Sequence, residues 1–433
     1  MQKSRKILSR SGLLKECFQF FKKKFPKNKS ASSTDPSLID CLMASIGIFQ
    51  LKFPSLLQYD KQRYSDSILM SNLKNLYMVE NPPSDTTMRE KLDIVEPSDL
   101  RDIFKGIFAC AQRGKVLEQY EFFDKHYLLA LDGTSQFSSG KIHCDNCCIK
   151  EHSNGNKTYY HQALAGAIVH PQMKKVIPLA PEPITKQDGV TKNDCEQNAA
   201  KRLLQDFRRE HPHLKTIVAE DSLYSTGPHI KLLNDLDIRF IISAKPGNLS
   251  ALFNWVSALD NDDVNYYSFT DGKGTHKFKF VNNVPLNDSN YDTKVNFLEY
   301  LEIDKNGKTQ HFSWITDIEL SRENVELIMR GGRARWRIEN ETFNTLKNQG
   351  YNFEHNYGHG KKNLCSIMGM LMMLAFLMDQ LSEICDPIFQ KAKIVLGSYL
   401  ALWERIRAIF TLFDMLNWDD LFAKIFATSR KVE

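Results

Sequence analysis

The chain has 433 residues, 42% hydrophobic and 25% charged, an ordinary globular composition with apolar material for a sizeable core and two or three domains rather than a disordered chain. The net charge of +5 hides an asymmetry: residues 1–29 hold ten Lys/Arg and one Glu, a local +9, which leaves the remainder at −4. Nine cysteines, an odd and mostly scattered set, exclude a disulfide framework and fit a reducing compartment.

The basic leader, residues 1–29, predicts a polyanionic partner, nucleic acid rather than membrane; the plainer alternative is a solubilising tail. It has no uninterrupted apolar stretch of the kind a secretory signal needs. KNKSASSTDPS reads as a Ser-rich linker, with Asp35-Pro36 as a helix-start signal. Residues 30–125 form a helical N-terminal region, through LIDCLMASIGIFQLKF and SDLRDIFKGIFACAQRGKVLEQY, and Ser84 in NPPSDTTMREKL is the expected N-cap of a helix.

The texture changes at residue 126. HYLLALDGT is a short apolar run ending in Asp-Gly and reads as a buried strand; YYHQALAGAIVH and KVIPLAPEPI read as two more. CEQNAAKRLLQDFRRE is an amphipathic helix, LKTIVAEDS a fourth strand, TGPHIKLLNDL a helix and IRFIISAK a fifth strand. This mixed α/β order predicts a three-layer sandwich. Residues 246–310 alternate in short runs between Gly, Asn and Asp turns and read as a β-rich insertion. HFSWITDIEL, a helix from about residue 322, and RARWRIENETFNTLKNQG follow. The end, from 361, is helical. LCSIMGMLMMLAFLMDQL, residues 364–381, is the only membrane-like stretch, but Ser366, Gly369 and Asp379 interrupt it and a buried core helix is the better reading.

Two acids end predicted buried strands, Asp132 and Asp221. At a strand end in an α/β sheet a carboxylate points into the crevice where ligands bind. Glu339 or Glu341, on the later helix, supplies a third. Three converging carboxylates repel unless divalent cations neutralise them, and Mg²⁺ suits such a set because it keeps sites for water and phosphate oxygens. The plainer reading is that strand-end aspartates form turns. If Trp336 and Phe343 mark the buried side of the helix, Glu339 lies about 60° and about 40° from them and Glu341 about 140° and about 160°. That favours Glu339 as the inward acid and leaves Glu341 exposed or paired with a base.

In this order and spacing, LLALDGT, IVAEDSLYS and RARWRIENETFNTLK resemble the DDE transposases of bacterial insertion sequences. The resemblance covers roughly residues 126–382, and PSDTTMREKLD and EHNYGHG also look like segments that accompany this catalytic domain in some members. It implies an α/β catalytic core of ribonuclease-H-like fold, a mixed five-stranded sheet flanked by helices, with a β-rich insertion and helical N- and C-terminal parts. Asp132, Asp221 and Glu339 match the catalytic metal ligands. Arg335 matches the arginine that contacts transposon-end phosphates, and Arg337 and Lys347 join it as DNA contacts. Two positions depart from the pattern. Gly332 stands where a Tyr is expected. Lys347 comes one residue late, eight residues after Glu339, which sets it roughly 80° around a helix where seven would leave it nearly aligned, unless a local bulge intervenes.

The implied domains are the leader 1–29, a helical DNA-binding region 30–125, a catalytic domain 126–245 and 311–382, the insertion 246–310, and a helical C-terminal region 383–433. The implied activity is cleavage of a phosphodiester bond at each element end to expose a 3′-OH, then attack of that hydroxyl on target DNA. The implied cofactor is a pair of Mg²⁺ ions, with Mn²⁺ as a substitute. The implied partners are terminal inverted repeats and target DNA, handled by at least a dimer at the cytoplasmic nucleoid, with no membrane. Two alternatives stay open: a nuclease of the same fold without strand transfer, and a catalytically inactive or domesticated DNA-binding relic.

KIHCDNCCIKEHSNGNKTYYHQ gathers His143, Cys144, Cys147, Cys148, His152 and His161. Cys144 and Cys147 have the C-x₂-C spacing of a zinc knuckle, and His152 or His161 would complete a structural Zn²⁺ site. Free thiols in a hairpin loop are the alternative. His355 and His359 are read as structural.

Overall fold

The computed structural model of the chain describes residues 7–26, 34–189 and 192–429; the ends of the basic leader and most of the Ser-rich linker lie outside them. One mixed sheet runs through the molecule. Its strands are β1 (Glu121–Phe123), β2 (His126–Ser139), β3 (Cys148–Glu151), β4 (Lys157–Val169), β5 (Ile177–Pro178), β6 (Glu182–Ile184), β7 (Thr216–Glu220), β8 (Arg239–Ser243), β9 (Asn265–Thr270), β10 (Gly274–Pro285), β11 (Lys294–Asp304) and β12 (Thr309–Thr316). The order is β3-β4-β2-β7-β8-β12-β11-β10-β9, with β1 on β2 and with β5 and β6 both on β4.

The centre of this sheet is the expected ribonuclease-H-like core. β2 runs antiparallel to β4 and parallel to β7, and β7 runs parallel to β8. Parallel strands covered on both faces need continuous apolar runs, and Leu128–Leu131 of β2 and all of β7 are buried. The expected third strand is split into β5 and β6. Pro178, Pro181 and Pro183 interrupt it, and proline cannot donate to a ladder, so the segment is confined to short edge pieces on β4.

The insertion does not form a separate sheet. β12 pairs antiparallel with β8, so β12, β11, β10 and β9 extend the core sheet. It opens with a helix, Ser250–Ala258, that the sequence reading did not assign. The expected boundary at residue 310 falls inside β12, the strand that makes the join.

The leader is not a free arm over its described length. Helix Arg10–Lys24, N-capped by Ser9, buries Leu13, Leu14, Cys17 and Phe21. Arg10 is 1% exposed; its guanidinium donates to Asp379 Oδ1 at 2.9 Å and its backbone N–H to Asp386 Oδ2 at 3.0 Å. The next helix, Leu38–Gln50, starts at Ser37 through a capping box with Asp40 and is buried at every position from Cys41 to Gln50. A helix apolar all round belongs inside a core, so it is not one that enters a DNA groove. Helix Leu364–Cys385 has the length and hydropathy of a membrane span, yet 83% of its most apolar window is buried inside the molecule. The N-terminal helices pack around it, together with helix Pro97–Arg113.

Two sequence segments 260-odd residues apart meet at its start. Helix Asp85–Asp93 is N-capped by Ser84, as expected. Asp93 at its other end accepts backbone N–H groups from Lys361, Lys362, Asn363 and Leu364 at 2.8–3.0 Å, which caps the long helix. Gly358 and Gly360, in EHNYGHG, have φ of +135° and +64°, and a Cβ on either would strike Arg89 or Asp93. The two motif segments therefore dock through glycines that allow both the backbone conformation and the approach.

Candidate active site

β2 and β7 bring the two strand-end acids together. Their parallel register pairs Ala130 with Ala219. Asp132 lies two residues beyond Ala130 and Asp221 two beyond Ala219, past the paired part of the ladder, and Asp221 is near enough to act electrostatically on Asp132. Asp221 lies just past the end of β7 and accepts the Leu223 N–H at 2.8 Å. The preceding Glu220 points to the opposite side, where it is buried and bonded to His229 Nε2 at 2.7 Å. Strand alternation separates the two neighbouring acids into different roles.

The third acid comes from the helical run that begins with helix Val325–Ala334 and lies on the core strands. Gly331 and Gly332 permit the approach. A Cβ at 331 would lie 2.8 Å from Phe122 and 2.9 Å from Ile241, and one at 332 would lie 2.3 Å from Nε1 of Trp314. The Trp314 indole, from β12, fills the space at the position where the family pattern expects a Tyr, and this explains the departure.

Residues Ile338–Phe343 then form a π-helical turn, within which the Asn344 N–H donates to the Glu339 carbonyl, an i→i+5 bond. A π turn accommodates one more residue than an α turn. That is the bulge which the eight-residue spacing of Glu339 and Lys347 calls for. Ile338, Thr342, Phe343 and Leu346 are buried on this run, against β2 and β4. Trp336 was expected on the buried side; it is 48% exposed, with the Arg335 guanidinium 4.9 Å from its ring. The π turn changes the angular count on which that expectation rested.

Electrostatically, Asp132 is the focus. Burial pushes its carboxyl pKa up, the Arg335 guanidinium opposes this, and the negative charges of Asp221 and Glu339 push it up further. Arg335 Nη1 donates to Asp132 Oδ2 at 3.1 Å, and the Gly133 N–H to Oδ1 at 3.0 Å. The other bases of this stretch are engaged elsewhere. Arg337 pairs with Glu341 at 3.0 Å and donates to the Pro171 carbonyl. Lys347 pairs with Glu354 at 2.9 Å. Arg333 pairs with Glu302 of β11 at 2.7 Å and lies over Phe312 of β12. It ties the insertion to the catalytic helix. A cleft of about 720 Å³ opens there, lined by Phe269, Lys273, Tyr300, Arg330, Arg333 and Trp336 among others.

Among the described residues, the one set of three metal-ligating side chains with all donor atoms within 4.8 Å of one another is Cys144, Cys147 and His161. His152, expected as a candidate ligand, is not part of it: it lies exposed on the hairpin with Nε2 on the Thr158 hydroxyl at 2.8 Å, since the turn at 153–156 carries it away.

A family profile described as "Transposase DDE domain" matches residues 126–377. No curated protein matches the chain. Among solved structures, a cryo-EM structure of a piggyBac transposase synaptic complex with hairpin DNA overlaps it at 9% identity and a TM-score of 0.38, covering 100% of this chain and 82% of that one.

Proposed function

The chain belongs to the DDE transposase family, and from that premise we propose that it binds the ends of its own insertion sequence, cleaves them to free 3′-OH groups and joins these to target DNA. The observation that supports the reading is that Asp132 and Asp221 follow the paired ends of adjacent parallel strands, with Asp221 and Glu339 both near enough to act on Asp132. DDE domains use divalent metal ions, and the residues present suit them. Three carboxylates are hard oxygen donors, and Asp132 already carries an unfavourable excess of negative charge. Asp132, Asp221 and Glu339 are the proposed holders of two Mg²⁺ or Mn²⁺ ions. When bound, such ions activate an attacking oxygen and stabilise a leaving one in phosphoryl transfer.

The chain's own residues supply the rest. Arg335 neutralises Asp132 and stands one helix position from exposed Trp336, so a phosphate entering the site meets a guanidinium backed by an aromatic face. The cleft between the insertion and the helix offers aromatic faces, Phe269, Tyr300, Phe312 and Trp336, for base stacking, although Arg330 and Arg333 in it are paired with Glu326 and Glu302. Arg337 and Lys347 remain proposed DNA contacts, reached only by giving up their present carboxylate partners. Pairing two element ends calls for at least a dimer in the working complex, placed at the cytoplasmic nucleoid.

The Trp314 indole occupies the space a larger side chain at position 332 would need, so the absence of a Tyr there fits the packing and does not by itself favour the relic reading. The nuclease alternative separates from strand transfer in one assay. A duplex carrying the gene's flanking inverted repeat, pre-cut to a 3′-OH, is incubated with supercoiled plasmid and Mg²⁺. Joined product is expected; cleavage of uncut ends with no joining from pre-cut ones would leave the nuclease reading standing.

A further inference from the structure

Cys144 and Cys147 lie in the loop between β2 and β3, His161 on β4. Cys144 Sγ is 3.7 Å from Cys147 Sγ and 3.2 Å from His161 Nε2. The sulfur separation is far beyond a disulfide bond of about 2.05 Å. It matches the edge of a tetrahedron built on zinc–sulfur bonds of about 2.3 Å, which is about 3.8 Å. A fourth side chain comes near from a remote part of the chain. Cys365, in the first turn of helix Leu364–Cys385, is close enough to His161 and to Cys147 to act on both electrostatically. The neighbours are otherwise employed. Cys148 turns away to the Ile184 carbonyl, and His143 stacks on Tyr159.

We infer that Cys144, Cys147, His161 and Cys365 form a structural zinc site of Cys₃His type. Two soft sulfurs and one imidazole at tetrahedral spacing, with the Cys365 sulfur close by to complete the set, select zinc over the hard cations suited to the carboxylate site. Loop, strand and helix meet at this point. His161 is the cross-strand partner of Phe137 on β2, the strand that carries Asp132. Asn146 in the same loop donates to the Lys362 carbonyl at 2.6 Å, one turn before Cys365. Zinc here clamps the C-terminal end of the catalytic strand to the central helix. His359 packs its ring against His161 with Nε2 buried and without a hydrogen-bond partner. It is the competing ligand beside His161.

The test is metal analysis of the full-length protein, purified in reductant without chelator. One zinc per chain is expected, and the Cys144→Ser and Cys365→Ser variants should lose most of it, while His152→Ala and His359→Ala keep it. Cobalt(II) substitution gives a second readout that does not depend on stability. Normalised to bound cobalt, the thiolate-to-cobalt charge-transfer band should fall by about a third in Cys365→Ser, from three sulfurs to two. Protein without metal, a Cys144–Cys147 disulfide in its place, or zinc lost in His359→Ala but kept in Cys365→Ser would each overturn the assignment.

Discussion

Asp132 is held by one arginine against the pull of burial and two neighbouring negative charges. Removing its charge, or that of Asp221, takes a hard donor from the metal site while keeping the side-chain shape. Asp132→Asn and Asp221→Asn should each lower Mg²⁺-dependent end cleavage by about a thousandfold or more, roughly 4 kcal/mol in the barrier. End binding, read by mobility shift, should stay within a few-fold. Glu339→Gln should behave like them. Glu341→Gln should retain most activity, because Glu341 only pairs with Arg337, a partly exposed i,i+4 contact of at most about 1 kcal/mol. If Glu341→Gln is the inactive one, the placement of Arg335 falls with that of Glu339.

At the scale of elements, the helix after β12 is adjusted by one residue. Its π turn absorbs the extra position between Glu339 and Lys347. Deleting Asn340, an exposed residue of that turn, should yield a regular α-helix with the buried residues beyond it still facing the sheet. The deletion variant is expected to be as stable as the parent in urea. A loss of several kcal/mol, as for a deletion that swings the following residues by about 100°, would mean the turn is not the accommodating element. A second element-level device is the Asp93 cap on helix Leu364–Cys385. Burial pulls its carboxyl upward, but backbone N–H donors at residues 361–364 outweigh this and hold it below the ordinary value. A depressed folded-state pKa adds stability above the unfolded value, and that stability is lost as pH falls through the folded pKa. Asp93→Asn should therefore cost about 1–2 kcal/mol at pH 7. The gap in thermal midpoint between the two proteins should shrink below about pH 4; a gap constant with pH would assign the loss to packing instead.

Taken whole, the molecule binds its two ends together. Asn72, near the N-terminus, donates to the Phe410 and Phe413 carbonyls, and Trp418 donates to the Leu76 carbonyl. The leader helix is part of this body. Arg10 and Lys52 both hold the fully buried Asp379, which also accepts the Tyr351 hydroxyl. Breaking a buried pair of this kind leaves an uncompensated charge and costs about 3–5 kcal/mol. Deleting residues 1–29 is therefore expected to unfold the protein rather than only weaken its DNA binding. The electrostatic question is better put to Lys22 and Lys23, which are exposed at the end of that helix. If the leader touches DNA, Lys22→Gln with Lys23→Gln should reduce the slope of log affinity against log salt by about 1.8. An unchanged slope places the DNA elsewhere.

What the sequence by itself determined is what local chemistry encodes. Apolar runs ending in acid marked β2 and β7 and their aspartates, and Ser84 marked a cap. Lys347 stood out as one residue late against the family spacing, and the π turn that absorbs the extra residue came only with the structure. Only the tertiary structure decided which faces meet. Nothing near Cys365 in the chain announces that it reaches His161, and a row of arginines looks alike whether it grips phosphate or, as Arg333 does, a neighbouring strand. The leader shows the same limit from the other side. Its charge count pointed outward, toward a polyanion, while its apolar stripe and Arg10 turned inward. Charge is summed along a sequence, but each charge is spent on whichever partner the fold brings near, and burial strengthens the pairs it keeps.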